Sequence, residues 1–159
     1  MRSEFWTITH DYPLAAAKAF QTLHPSSPFT FVFVSGEGAT QTPGFFTPLF
    51  GKYKGEAETA LLELNKSAPN FKPIVVRPAG VDWRQMPEIK DYIPYQVWWK
   101  KALLPVIEMG YKGMHSPMGP LSRVLTELAM GKGEPVEGGD VLAGGRIVPN
   151  VAFRRMAGL

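Results

Sequence analysis

Ser35 ends an apolar, aromatic and β-branched run, FTFVFV at positions 29–34, so its hydroxyl falls at the carboxyl end of a buried strand. Open α/β sheets place their ligands at that end, although a serine closing a strand is also an ordinary turn residue. Lys54 stands four residues before Glu58 on a helical stretch. That spacing suits an ion pair on a wet face. Tyr53 precedes it within the apolar stripe of the same helix. His115 sits in a glycine-bounded segment, 110–119, where a lone histidine is either a surface residue or an acid/base group. His10, His24 and His115 are isolated from one another and from paired carboxylates, which predicts no metal site. No cysteine and no GxSxG elbow occur, so neither a thiolate nor a hydrolase-type serine is expected.

The elements that must position these groups follow from hydrophobic spacing. The run 29–34 predicts a parallel strand covered on both faces. Thr47 and Pro48 predict a helix start, with Thr47 as cap and Pro48 at the first position. Leu49, Phe50, Tyr53, Ala57, Ala60, Leu61 and Leu64 share one face of that helix. A polar connection over 65–73 leads to a second short strand over 74–77, and strand–helix–strand in that order predicts a right-handed parallel crossover. Upstream, Tyr12-Pro13 marks a helix start, with an alanine-rich face running to Leu23. Downstream, 83–95 reads as an aromatic covering segment holding Trp83, Tyr92 and Tyr95. An almost wholly apolar helix is expected over 97–109, bent by Pro105, then an amphipathic helix around Leu121–Leu128 stopped by Gly131. A glycine-rich connection, 131–145, precedes a terminal strand over 146–153, demoted toward an edge by Pro149.

These pieces resemble the short-chain dehydrogenase/reductase superfamily, in particular its atypical fungal group of nucleoside-diphosphate-sugar epimerase-like, NAD(P)-binding proteins. The resemblance is carried by DYPLAAAKAF (11–20), FVFVSGEGAT (31–40), FGKYKGEAE (50–58) and VRPAGVD (76–82). It implies an α/β fold, a partial Rossmann-type parallel sheet of about three strands with flanking helices, in a single domain spanning 1–159. It also implies that Ser35 binds substrate, that Lys54 holds the nicotinamide ribose, and that Pro78, Gly80 and Val81 are remnants of a cofactor wall. The catalytic tyrosine of that family falls on Phe50, which has no ionisable proton. Tyr53, rotated by about 60° from Phe50 around the helix, is either its stand-in as proton donor or a packed core residue. No dinucleotide loop is found: Gly36-Glu37-Gly38 opens no helix, and Glu37 would repel a pyrophosphate. The resemblance therefore implies the substrate-side half of an oxidoreductase, truncated or split from its nucleotide-binding half, with NAD(P) implied by the family but not bound by this chain alone.

A chain of 159 residues with 45% hydrophobic content can build a core. The net charge of +3 comes from scattered Lys and Arg, with no run beyond pairs such as Lys100-Lys101, so no nucleic-acid partner is expected. No signal peptide or bilayer-spanning stretch is visible, which makes a cytoplasmic protein the default expectation. Two further functions fit the residues. One is a cofactor-independent acid/base enzyme, an isomerase or cyclase acting on a small aromatic metabolite near Ser35, Lys54, Trp83, Tyr92, Tyr95 and Trp98. The other is a non-catalytic module that self-associates, or binds a missing N-terminal half, through the uncovered edge of the 29–34 strand.

Overall fold

The computed structural model describes residues 2–23, 27–84, 86–92 and 114–159. The expected apolar helix over 97–109, Tyr95, Trp98, the Lys100-Lys101 pair and His24 lie outside the described residues.

The fold is mixed α/β, with a small parallel sheet between helices. Strand β1 (Phe29–Val34) pairs in parallel with β2 (Phe71–Val76), and β2 pairs in parallel with the two-residue β5 (Ile147–Val148). The order β1-β2-β5 puts the longest inter-strand ladder between the two strands expected from the sequence. Alternation along the strands divides the core in two. Phe29, Phe31 and Phe33 turn to one face and pack with Ala17, Leu61 and Phe71. Val32, Ile74, Val76 and Val148 turn to the other and pack with Leu121, Val124, Ala152 and Phe153. Helices α2 (Tyr12–Phe20) and α3 (Leu49–Ser67) cover the first face; α4 (Met118–Met130) and α5 (Asn150–Ala157) cover the second. A second, two-stranded parallel sheet joins β3 (Gly80–Asp82) to β4 (His115–Pro117) beyond the carboxyl end of β2.

Several expectations are corrected. The helix expected to begin at Pro13 is already under way at α1 (Arg2–Trp6), which runs through a π-helical turn, Thr7–Asp11, into α2. Tyr12 N–H reaches Thr7 O, five residues back. That wider turn makes room for the Pro13 ring, which clashes with the preceding turn of a regular α-helix. Thr47 does not cap α3: Pro48 holds the N-cap position, and Thr47 Oγ1 instead accepts the Gly44 N–H at 2.8 Å. Leu49 and Phe50, placed on the buried stripe by spacing, are half-exposed, while Tyr53, Ala57 and Leu61 are buried. Strand β2 begins at Phe71 rather than Ile74 and carries Pro73 in a central strand. The odd residues of β2 turn their N–H groups toward β5, as Val75 to Arg146 O and Arg77 to Val148 O. Pro73 faces the same side before β5 begins, so its missing donor leaves no ladder bond unmade. The terminal strand stops at Val148, and Pro149 becomes the N-cap residue of α5. His115 lies in a strand rather than a loop. Among the described residues no helix is long and apolar enough to cross a membrane.

Gly51 and Gly55, one turn apart on α3, form a groove in which the loop after β1 rides. Thr40 N–H bonds Gly51 O at 3.1 Å. A Cβ at Gly51 would collide with Gly38 O, and one at Gly55 with Thr40 O, both backbone atoms that cannot swing away. Gly55→Ala is accordingly expected to lower the unfolding free energy by about 1–3 kcal/mol in urea titration. Gly44→Ala, whose Cβ meets nothing within 4 Å, should shift it by less than about 0.5 kcal/mol. Equal effects would remove the groove from the account.

Candidate functional site at the carboxyl edge of the sheet

The carboxyl ends of β1, β2 and β5 are stitched together by polar groups. Ser35 N–H extends the ladder to Val76 O at 2.8 Å, and Glu37 N–H crosses to Pro78 O at 3.0 Å. Ala79 N–H donates to Ser116 Oγ at 2.9 Å, and that hydroxyl donates to Asn150 Oδ1 at 2.6 Å. Ser116 and Asn150 are both fully buried. Asn150 N–H, at the start of α5, donates to Glu37 Oε2 at 2.8 Å. Glu37 thereby supplies the carboxylate that Pro149 cannot, against the positive end of that helix.

Next to this seam stand the groups that could do chemistry. Ser35 is 4% exposed, and its Oγ finds no hydrogen-bond partner among the described residues. A buried hydroxyl without a partner costs on the order of 1–3 kcal/mol, which makes it a group that awaits one. Lys54 Nζ donates to Ser35 O at 2.7 Å and, more weakly, to Val34 O at 3.4 Å. It also lies 5.0 Å from the centre of the Phe50 ring, within cation–π range. Burial lowers the Lys54 pKa, with the Glu58 carboxylate pulling the other way. Phe50 covers Gly36, where a Cβ would meet the ring at 3.1 Å, and remains 45% exposed. Glu58, fully buried, is forked by Arg77: Nε to Oε1 at 3.0 Å and Nη2 to Oε2 at 2.6 Å.

Of the residues singled out by sequence, the fold therefore brings Ser35 and Lys54 together. Tyr53 is 5% exposed, its ring set edge-on to Trp6 at 5.0 Å and tilted against Phe5 at 5.8 Å, in an aromatic cluster beneath α1. Pro78 is buried with its carbonyl taken by Glu37; Gly80 and Val81 pair with β4 and are exposed. His115 Nδ1 stands 3.7 Å from Asp82 Oδ2, on the opposite face of the small sheet from Ser116. Hydrogen bonds from Arg84 are the main cause holding the Asp82 carboxyl below its ordinary pKa. Among the described residues no cluster of His, Cys, Asp or Glu could hold a metal ion.

Sequence reasoning missed Arg77, Ser116 and Asn150, weighed Glu37 only against a pyrophosphate, and offered Glu58 as a partner of Lys54 on a wet face, where it is instead buried against Arg77. A usable signal existed for one pair: Arg77 directly follows the apolar Ile74-Val75-Val76, and a cation at the end of a buried strand calls for a buried carboxylate.

Fold and site together define a small parallel α/β protein with its polar groups gathered where the strands end. The chain is 41% identical over 155 residues to the botcinic acid biosynthesis cluster B protein 16 of Botryotinia fuckeliana (strain B05.10), a match covering 92% of this chain and 98% of that relative. It belongs to the family of that protein. No family model matches the chain, and no solved structure matches it. The resemblance to a short-chain dehydrogenase/reductase half is thereby overturned: no dehydrogenase model matches, and the relative that matches over nearly its whole length is a biosynthesis cluster protein. The cofactor-wall role lent to Lys54, Pro78, Gly80 and Val81, and the proton-donor role lent to Tyr53, lose the resemblance that supplied them.

The buried ion pair gives a test of the scaffold. Arg77→Met strands the Glu58 carboxylate and is expected to cost about 3–5 kcal/mol, whereas the double change Glu58→Leu/Arg77→Met should restore most of it. Chemical denaturation of the native chain and the two variants reads both. A double variant no more stable than the single one would show that the pair itself, not the stranded charge, sets the cost.

Proposed function

We propose that this chain acts in a secondary-metabolite pathway as a cofactor-independent acid/base enzyme, an isomerase or cyclase for a small, flat, carbonyl-bearing metabolite. The pathway setting comes from the name of its relative, a biosynthesis cluster protein. The single observation that carries the chemistry is the buried, unpartnered Ser35 hydroxyl beside the half-buried Lys54 amine.

A neutral amine has two N–H bonds and one lone pair. The Ser35 and Val34 carbonyls take the two N–H bonds and leave the lone pair to the third tetrahedral direction. Burial lowers the Lys54 pKa from 10.5, which raises the share of amine able to accept a proton. In the proposed step Lys54 removes a proton from the carbon beside a substrate carbonyl, and the Ser35 hydroxyl, turned about its Cα–Cβ bond out of its buried position, donates to the oxygen as enolate charge grows on it. Lys54 then returns the proton at another atom, so atoms and electrons balance without a redox partner. The exposed part of the Phe50 ring offers an apolar rest for the substrate.

Removal of the gene from its organism is expected to accumulate a compound of the same mass as the pathway's next intermediate, or one water heavier for a dehydrating cyclisation. The purified chain should convert that compound without NAD(P)H. Lys54→Met should reduce conversion by about a hundredfold or more while circular dichroism shows the fold retained. A product differing by two hydrogens, or full conversion by Lys54→Met, would overturn the proposal.

A second function, self-association, is favoured by one feature. Ile8 and Tyr12 on the helical run from α1 to α2, and Leu23 just after it, are 55%, 62% and 63% exposed, and β1 forms the sheet edge among the described residues. Exposed apolar side chains and an open strand edge both suit a second copy of this chain. Sedimentation at micromolar concentration should give a dimer that Tyr12→Asp weakens; a monodisperse monomer would rule this out.

A further inference from the structure

Four arginines allow a comparison within one molecule. Arg77, Arg84 and Arg155 each turn the same edge of the guanidinium, Nε–H and Nη2–H, onto a carboxylate: Glu58, Asp82 and Asp140 respectively. Arg146 uses the other nitrogen, as Arg154 does toward the His115 carbonyl. Its Nη1 donates to the carbonyls of Gly133 and Pro73. No carboxylate of the described residues lies within ion-pair distance of it, although burial disfavours its charge and Glu134 offsets this only from a distance. The Nε/Nη2 edge is the one whose parallel donors match the two oxygens of a carboxylate.

Arg146 lines a cleft of about 350 Å³ between the outer face of α3 and the turn before β5. Thr59 and Asn65 add polar groups to the wall, and Lys66 and Glu63 neutralise one another there at 2.7 Å, so the guanidinium supplies the uncompensated charge. The opposite wall is a strained turn. Ala143 holds a left-handed φ of 49°, followed by Gly144 at 63° and Gly145 at 85°. A non-glycine residue in that region costs on the order of 1–3 kcal/mol, and such strain concentrates at binding sites. The volume is near the lower end of small-molecule pockets, about 300–1,000 Å³.

We infer that this cleft is a binding site for a small organic carboxylate, held by the Nε/Nη2 edge of Arg146. It is separate from the Ser35–Lys54 site and does not depend on the chemistry proposed there.

The test is a titration of the whole native chain with benzoate, followed by the arginine Nε–H resonances in a nitrogen–proton correlation spectrum. The Arg146 signal is assigned in the native chain by through-bond correlation along its side chain, and Arg146→Lys, which keeps the charge, serves as the control. Benzoate should move that signal saturably, with a dissociation constant in the millimolar range or below; benzamide, of the same shape without the charge, should not. Arg146→Lys, read by thermal shift and calorimetry, should bind benzoate about tenfold more weakly, a loss of roughly 1.4 kcal/mol. An unmoved Arg146 signal in the native chain would overturn the inference, as would equal binding by Arg146→Lys. Tighter binding of inorganic phosphate than of benzoate would overturn the assignment to a carboxylate. The native-chain titration decides the matter even where the variant unfolds.

Discussion

The bidentate bond between Glu58 and Arg77 is the constraint on which the rest of the architecture turns. It joins the middle of α3 to the exit of the central strand, both ends of the pair being withdrawn from water. A carboxylate in that position is tolerable only with a fork of donors in front of it. The rotation of α3 about its axis is therefore fixed by chemistry rather than by apolar packing alone. Once Glu58 points at Arg77, Lys54 one turn earlier must lie over the end of β1, and Gly51 and Gly55 must face the loop that follows it. The geometry of the site is inherited from the pair.

The glycine groove completes what the ion pair begins. Apolar side chains set helix-to-sheet distances with some slack, because rotamers adjust. Backbone against backbone has none, and the loop 36–41 lies on α3 at the spacing that two missing Cβ atoms allow. That close approach brings Ser35 below the helix, where its hydroxyl is shut away from water without a protein partner. Glu37, two residues on, is then within reach of the amino end of α5, so one short loop serves both the parallel ladder and a helix terminus.

The strand–helix–strand unit was legible in the sequence because its signals are local: an aromatic and β-branched run, a nineteen-residue amphipathic helix and a second apolar run. The juxtaposition of Ser35 with Lys54 was reached through a resemblance, although a helix packed back over a parallel strand brings it about without one. What misled was the step from that geometry to a family. In any such unit a lysine about one turn into the helix falls over the carboxyl end of the preceding strand, so Ser35 with Phe50-x-x-x-Lys54 reflects packing rather than descent. The relationships that stayed hidden link residues far apart in sequence: Glu37 with Asn150, Ser116 with Ala79, Glu58 with Arg77. Single-residue types at such separations carry no periodic signal. The α5 helix was hidden by Pro149, which closes a strand and opens a helix equally well; only the register of Ile147 and Val148 on β2 decides which.

Charge allocation ties the two sites together physically. Burial disfavours the ionised form of both Lys54 and Arg146, and neither has a carboxylate of its own in contact. The one acid that raises the Lys54 pKa, Glu58, is already committed to Arg77. A fold selected for stability alone has an inexpensive remedy, since replacing an unpaired, partly buried cation by an apolar residue of similar volume removes a desolvation cost. Here the cations are instead anchored by backbone carbonyls, which fix the nitrogens in space without neutralising them. Carbonyl anchoring is the arrangement expected of a group kept available for a ligand: it supplies position and leaves the charge, or the lone pair, uncommitted.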